Sequence, residues 1–528
     1  MEAPRRGRQA GRSMADGECI IGVDVGSQSV RSLAFSLRGE KLAEATRPTP
    51  QSSPRPGEVD YDPDAIFAAV LATLADLGRA LDGRHVHGIA VASVGESCVV
   101  IDDGGRALAP TIAWFDRRTL PQMQALAGKL DAEQTFAVTG TTIDPTLTLF
   151  KLAWLRDNAR DAFRRVDRVL MMADWIAYRL CGEMATDPTL ASRTLYFDIH
   201  RRAWSGDLLS LAGLSPRQLP RLAASGTALG TMKRRLVEET GLAGAPVVGV
   251  GGHDDLCGAF AAGAVVPNIL LDSLGTGEAV LLTLKQPLTN PAVRECGYFQ
   301  GGIGTSEPLA YIFGGILSSG GAIEWLRDVT GHPSREQLAE EALAVSPGSN
   351  GVVFLPYLGN CPPPYFDANG RGAFFGLTQN ATRGVLYRAV LEGLAMQSRL
   401  ILDGMTGVLG LPVPGDIRLI GGGTKNALFL SLKANVFGRP VSVVDEPEAT
   451  ALGAAICGGI AGGLWRSFAE ALQSISQSVR VVEPDDRLGF YSELRQSTFE
   501  RLGDALRPIH SIIRAKPGLP LPDAEGRR

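Results

Sequence analysis

The sequence predicts an α/β protein of two similar lobes around a central cleft, and three observations carry that expectation. A strand, an acidic turn and a second strand occur at Ile20–Ser36 and again at Asn268–Thr283. Each copy is followed by helical segments that alternate with short apolar runs, the pattern of sheets covered by helices. Glycine accounts for 63 of 528 residues, in short runs at the ends of apolar stretches, which suits tight strand-to-loop joints.

In the first lobe Cys19–Val25 (CIIGVDV) reads as a strand ending in an acidic, Gly-containing turn, Ser29–Ser36 as a second strand and Leu37–Glu40 as its hairpin. A Pro-rich loop spans Arg47–Pro63. Helical spacing predicts a helix over Asp64–Leu81, with Asp64 as its cap or first-turn acid. His87–Val94 and Val99–Asp102 read as short strands around Gly95. Pro121–Arg165 is largely helical, Val169–Cys181 a helix closed by Gly182, and Pro246–Gly252 a buried strand. In the second lobe the spacing predicts helices over Ala381–Met405, Ala427–Phe437 and Ala449–Ile460, and a strand over Asp416–Ile420. The Ala/Gly-rich character of Ala449–Ile460 allows very close packing. The lobes divide as 19–262 and 263–510, joined near 253–265, with residues 1–18 and 511–528 as tails.

Composition narrows the function classes. The net charge of −4 and a pI near 6.0 provide no basic field for nucleic acid. No run of eighteen uncharged apolar residues is present, so no membrane span is expected. The seven cysteines are scattered, with no CxxC pair, which fits a reduced cytoplasmic protein rather than a disulfide framework or zinc site.

Five motifs carry chemistry. Asp24, Gly26, Ser27, Gln28 and Ser29 form a small-residue turn able to approach phosphate oxygens, with Asp24 placed to hold a hydrated Mg²⁺. Asp272–Gly277 repeats the design. Gly421–Gly423 with Thr424, Lys425 and Asn426 joins a strand to a helix, where missing Cβ atoms admit a flat ring and a helix N-terminus favours phosphate. Gly251-Gly252-His253-Asp254-Asp255 ends an apolar strand, where a carboxylate is placed to take a proton from a hydroxyl or to cap the following helix. Gly95, Glu96 and Ser97, with Trp114, Asp116 and Arg118, offer polyol contacts or a packed surface with a salt bridge. Neither a GxGxxG fingerprint nor a P-loop is present, which disfavours a dinucleotide oxidoreductase.

The order of these motifs resembles the FGGY carbohydrate kinase family. The segments DVGSQSVR (24–31), WFDRR (114–118), TDPTLASRT (186–194), GGHDD (251–255), SLGTGEA (273–279), IEWLRD (323–328), GGGTKN (421–426) and EATALGAA (448–455) carry the resemblance, which extends from Cys19 to His510. It implies the two-lobed actin-like, ribonuclease H-like ATPase fold and transfer of the γ-phosphoryl group of MgATP to a sugar or polyol hydroxyl. By position it implies Asp254 as general base and Asp24 near the metal. Gly26, Ser27, Gln28, Ser29 and Arg31 would line the first phosphate loop, and Gly275 and Thr276 the second. Gly320, Gly422, Gly423 and Asn426 would lie along the nucleotide. Gly95, Glu96, Trp114, Asp116, Asp254 and Asp255 would form the acceptor site.

Departures from the family bear on the acceptor. Gly95, Thr146 and Asp255 stand where glycerol kinase has an arginine, a tyrosine and a glutamine, which argues for a longer polyol or ketose, a pentulose being one. Gly95-Glu96 also replaces the Met-His pair of xylulokinase-like chains, and Gly359-Asn360-Cys361 replaces a Gly-Glu-Arg segment. The expected partners are a small-molecule sugar or polyol and, as one possible assembly, a second copy in a homodimer. The competing class is a non-catalytic nucleotide switch with the same fold.

Overall fold

The computed structural model describes residues 17–476 and 478–514. Strand β1 (Glu18–Val25) is buried from Cys19 onward, as a central strand covered on both faces must be. It pairs antiparallel with β2 (Ser29–Ser36), and β2 antiparallel with β3 (Lys41–Pro48). On its other side β1 runs parallel to β4 (His85–Ser93). Beyond β4 lie β6 (Val247–His253), parallel to it, and the antiparallel edge strand β5 (Ala228–Thr231). The sheet order is β5-β6-β4-β1-β2-β3.

The second sheet repeats this plan. β7 (Ile269–Leu274) pairs antiparallel with β8 (Glu278–Leu284), and β8 with β10 (Ala310–Ile316), next to β9 (Phe299–Gly302). On its other side β7 runs parallel to β11 (Asp416–Ile420), followed by β12 (Val441–Val444) and the antiparallel edge strand β13 (Val479–Val482). Without β5, β9 and β13 the two sheets have the same order and directions. The duplication legible at the two turns therefore extends through five strands.

The lobes are joined through two helices packed on each other. α4 (Asp254–Ala261) follows the last parallel strand of the first sheet, yet its Leu256 and Phe260 share a core with Leu271, Leu281 and Ile420 of the second. α8 (Ala449–Ala461) follows strands of the second sheet but lies on β1 and β4 of the first. The approach requires bare Cα atoms. A Cβ at Gly22 would fall 1.8 Å from the Ala451 carbonyl oxygen, and one at Gly453 would fall 1.8 Å from that of Cys257.

Several expected boundaries shift. Val169–Met171 is the end of a short strand (Arg168–Met171) paired with Cys98–Ile101, and the helix, α3 (Met172–Cys181), starts only afterwards. In α1 (Pro63–Ala80) the cap is Asp62, which accepts from the amides of Asp64 and Ala65, while Asp64 pairs with Arg179. Glu18 already belongs to β1, and the final helix (Glu500–Arg514) runs past Ser511, so the proposed tails are shorter than expected. Their remainders, 1–16 and 515–528, lie outside the described residues. Among those described, no helix is long and apolar enough to cross a membrane.

Candidate active site

The strands β1, β4 and β6 end side by side, and Asp24 and Gly252 flank Ala92 of β4 from opposite sides. This is where parallel strands deliver side chains to a ligand crevice. Asp254 opens α4 directly beyond β6, its carboxylate 29% exposed and one oxygen accepting the Asp255 amide at 2.9 Å. Burial, followed by the nearby charges of Asp255 and Asp24, pushes its pKa up to about 7, against the opposing pull of His253.

The first hairpin is more committed than the sequence implied. Arg31 does not point freely at a phosphate: its Nη2 donates to Asp24 at 2.8 Å and its Nη1 to Glu448 at 2.5 Å, at the start of α8. Gly26 closes the turn by donating to the Ser29 carbonyl, and Thr49 donates its hydroxyl to the Gly26 carbonyl. The Ser27 hydroxyl accepts the Trp114 indole N–H at 2.7 Å, joining the first turn to the expected acceptor side, while Gln28 is exposed.

On the acceptor side Glu96 is buried with a left-handed backbone, φ 55°, a strained conformation for a non-glycine residue. Its carboxylate binds Arg193, whose Nε donates at 2.7 Å. The second lobe covers this pair: the Phe299 ring centroid lies 6.0 Å from the Arg193 guanidinium carbon, and Tyr311 is a further electrostatic neighbour. Trp114 is 39% exposed, with its backbone carbonyl and those of Ile112 and Ala113 facing the buried Lys151 ammonium. Burial lowers the Lys151 pKa to about 8. Asp116 departs from expectation. It is fully enclosed, accepting from the Val59 amide and the Arg118 guanidinium, so it braces the Trp114 loop rather than facing the cleft. Asp255 is half exposed beside His253, and Thr146 turns back on Asp144.

On the nucleotide side three segments meet. Gly275 and Thr276 are exposed at the tip of the β7–β8 turn, and their carbonyls accept the amides of Ser319, Gly320 and Gly321 at the start of α5 (Gly320–Val329). A Cβ on Gly320 would be 2.6 Å from the Gly275 carbonyl oxygen. Gly421 and Gly423 close on Leu274, leaving Gly422 open. Asn426 caps α7 (Ala427–Phe437) and donates to the Tyr387 hydroxyl at 3.0 Å. Beneath the turn, Lys433 is fully buried between Asp272 at 2.8 Å and Glu278 at 2.5 Å, and Glu278 also accepts from Ser319. The loop Gly359–Cys361 approaches the nucleotide side, where a Cβ on Gly359 would lie 3.2 Å from the Leu317 side chain, and its Cys361 pairs with Asp367.

The carboxylates fit a hard divalent cation: oxygens of Asp254 and Asp255 lie within 4.8 Å of each other, and Asp24 is an electrostatic neighbour of Asp254. Sequence reasoning did not assign Arg193, Glu448, Tyr311, Lys151 or Lys433. A signal existed for Lys433, a lone cation within an otherwise apolar helix, and for Arg193 and Glu448, which sit inside quoted motifs.

The N-terminal domain model of the FGGY family of carbohydrate kinases matches residues 19–261, and the C-terminal domain model matches residues 270–462. A glycerol kinase from Aromatoleum aromaticum is 34% identical over 88% of this chain and 94% of its own. An L-fuculokinase from Escherichia coli K12 is 31% identical over 90% of this chain and 99% of its own. Among solved structures, a "xyloylose kinase" from Brucella ovis superposes with a TM-score of 0.85 at 28% identity, covering 93% of this chain and all of that one. These relatives are kinases, which favours catalysis over a nucleotide switch, and they differ in acceptor.

Proposed function

The chain belongs to the FGGY family of carbohydrate kinases, phosphotransferases with alcohol acceptors on the two-lobed actin-like ATPase fold, and we propose that its acceptor is a ketose or polyol longer than glycerol, a pentulose or similar sugar. The observation that carries the catalytic part of the reading is the place of Asp254, directly beyond the end of β6 and opening α4; a pKa raised to about 7 suits a general base.

In this reading Asp254 accepts the proton of the attacking hydroxyl and aims its oxygen in line. The turns at Gly26–Ser29 and Gly275–Gly277 approach phosphate oxygens with backbone amides, and the α5 N-terminus beside Gly320 adds its dipole. Gly422, Gly423 and Asn426 line the adenosine. Asp24 and Asp254 would hold Mg²⁺ through its waters, which neutralises phosphate charge. Glu96, Trp114 and Asp255 contact the acceptor, with Arg193 orienting Glu96. Closure of Phe299 and Tyr311 over that pair excludes water as a competing acceptor. Seven free thiols support a cytoplasmic setting.

Longer acceptors are favoured because Gly95 and Thr146 bring no long side chain to the site. A coupled ADP-release assay over glycerol, tetritols, pentitols, ketopentoses and deoxyketoses tests this. The expected result is a ketose or longer polyol turned over well ahead of glycerol; glycerol as the best acceptor would contradict it.

A further inference from the structure

Gly95 does not adopt a left-handed backbone, so its own φ does not require glycine. The requirement comes from its neighbours. A Cβ built there would fall 2.9 Å from His253 Cδ2, 3.0 Å from His253 Nε2 and 2.9 Å from Arg193 Cγ. The imidazole thus occupies the space that a residue-95 side chain would take. It arrives from β6, one residue before Asp254, with its backbone amide fixed by the Thr189 hydroxyl at 2.9 Å. Its Nε2 lies 3.5 Å from Asp254 Oδ1, and its Nδ1 lies 4.0 Å from Asp255 Oδ2, buried and without a hydrogen-bond partner. The ring is wedged between the two carboxylates of the site and the Glu96–Arg193 pair.

We propose that His253 is a specificity-determining residue: its imidazole, seated in the space left by Gly95, forms the wall of the acceptor pocket beside Asp254 and faces the carbon next to the one phosphorylated. This rests on the kinase reading above. The wall has two consequences. A bulky side chain at 95 cannot coexist with it, so this chain cannot form an arginine clamp on a three-carbon polyol at that position. A ring edge bearing nitrogen also gives a neighbouring hydroxyl or carbonyl oxygen a polar contact that glycerol, being shorter, uses poorly. A single polar contact of this kind changes acceptor discrimination by about one to two orders of magnitude.

The test uses wild type, His253→Ala, Gly95→Ala and the double variant, each assayed with ATP against glycerol, ribulose, xylulose and fuculose, together with thermal midpoints. In Gly95→Ala, kcat/KM for the best ketose should fall about tenfold with KM for ATP unchanged, and the double variant should stay within about threefold of His253→Ala alone, because the added methyl then no longer meets the ring. In His253→Ala alone, the ketose-to-glycerol ratio should fall about tenfold. A ratio unchanged in His253→Ala, in a wild type that does phosphorylate a ketose, overturns this inference and leaves the kinase reading standing. A wild type inactive on all four contradicts the proposed acceptor class instead. The thermal midpoints then decide the packing: non-additive shifts in the double variant support the His253–Gly95 contact, and additive shifts refute it.

Discussion

Arg31 Nη1 lies 2.5 Å from Glu448 Oε2, so a residue of the second strand of the first sheet grips the start of a helix contributed by the second lobe. The other guanidinium nitrogen binds Asp24, placing two acids and one arginine where the lobes meet at the base of the cleft. Arg31→Met leaves both carboxylates without their cation. Stability should drop by roughly 1–3 kcal/mol, read by urea unfolding, with a raised KM for MgATP because Asp24 loses its orientation.

The buried Lys433 faces Asp272 and Glu278 at the two ends of the β7–β8 turn. Burial and the neighbouring Glu278 push the Asp272 pKa up to about 8 against the opposing pull of Lys433, so losing the cation leaves the cluster's remaining carboxylate charge uncompensated. Lys433→Met should destabilise the protein by about 3–5 kcal/mol. Combining it with Glu278→Gln should recover part of that loss, measured by denaturant midpoint, because one stranded charge is removed.

The Asp254 pKa lies above its unfolded value, so the ionised form is disfavoured in the fold. Its contribution is therefore most favourable at low pH and falls progressively from the unfolded pKa up to about 7. Asp254→Asn removes that penalty. The thermal midpoint of the variant relative to wild type should rise between pH 4.5 and 8, a comparison in which Asp272 cancels. The acceptor kcat/KM of the wild type should climb with the same ionisation, with an apparent pKa of about 7.

The α4–α8 crossing depends on Gly453, where a methyl group would strike the Cys257 carbonyl. Gly453→Ala should force the helices apart, lowering the thermal midpoint and kcat together, whereas Gly407→Ala, in open space, should change neither.

Local signals carried much of this architecture. The β-branched run before Asp24 and the small-residue turn after it are sufficient for β1 and β2, and their recurrence at Asp272 implies the second sheet. Val169–Met171 was ambiguous because three apolar residues suit a strand or a helix; its pairing with Cys98–Ile101 decides, and that contact is distant in sequence. Asp64 is the first-turn acid, one of the two roles read for it, while the cap is Asp62, which the sequence reading did not assign and which precedes Pro63 at the first helical position. Asp254 was legible as an acid at a strand end. The Glu96–Arg193 pair, the enclosure of Asp116 and the His253 wedge were not, since each joins side chains that only tertiary packing brings together.

The central claim is that Asp254 activates the acceptor hydroxyl. Acceptor-dependent ADP release by Asp254→Asn, measured beside equilibrium binding of a non-hydrolysable ATP analogue, tests it most directly. The account predicts a loss of about 10³-fold or more in kcat with analogue affinity within about threefold of wild type. Turnover within about tenfold of wild type would contradict it.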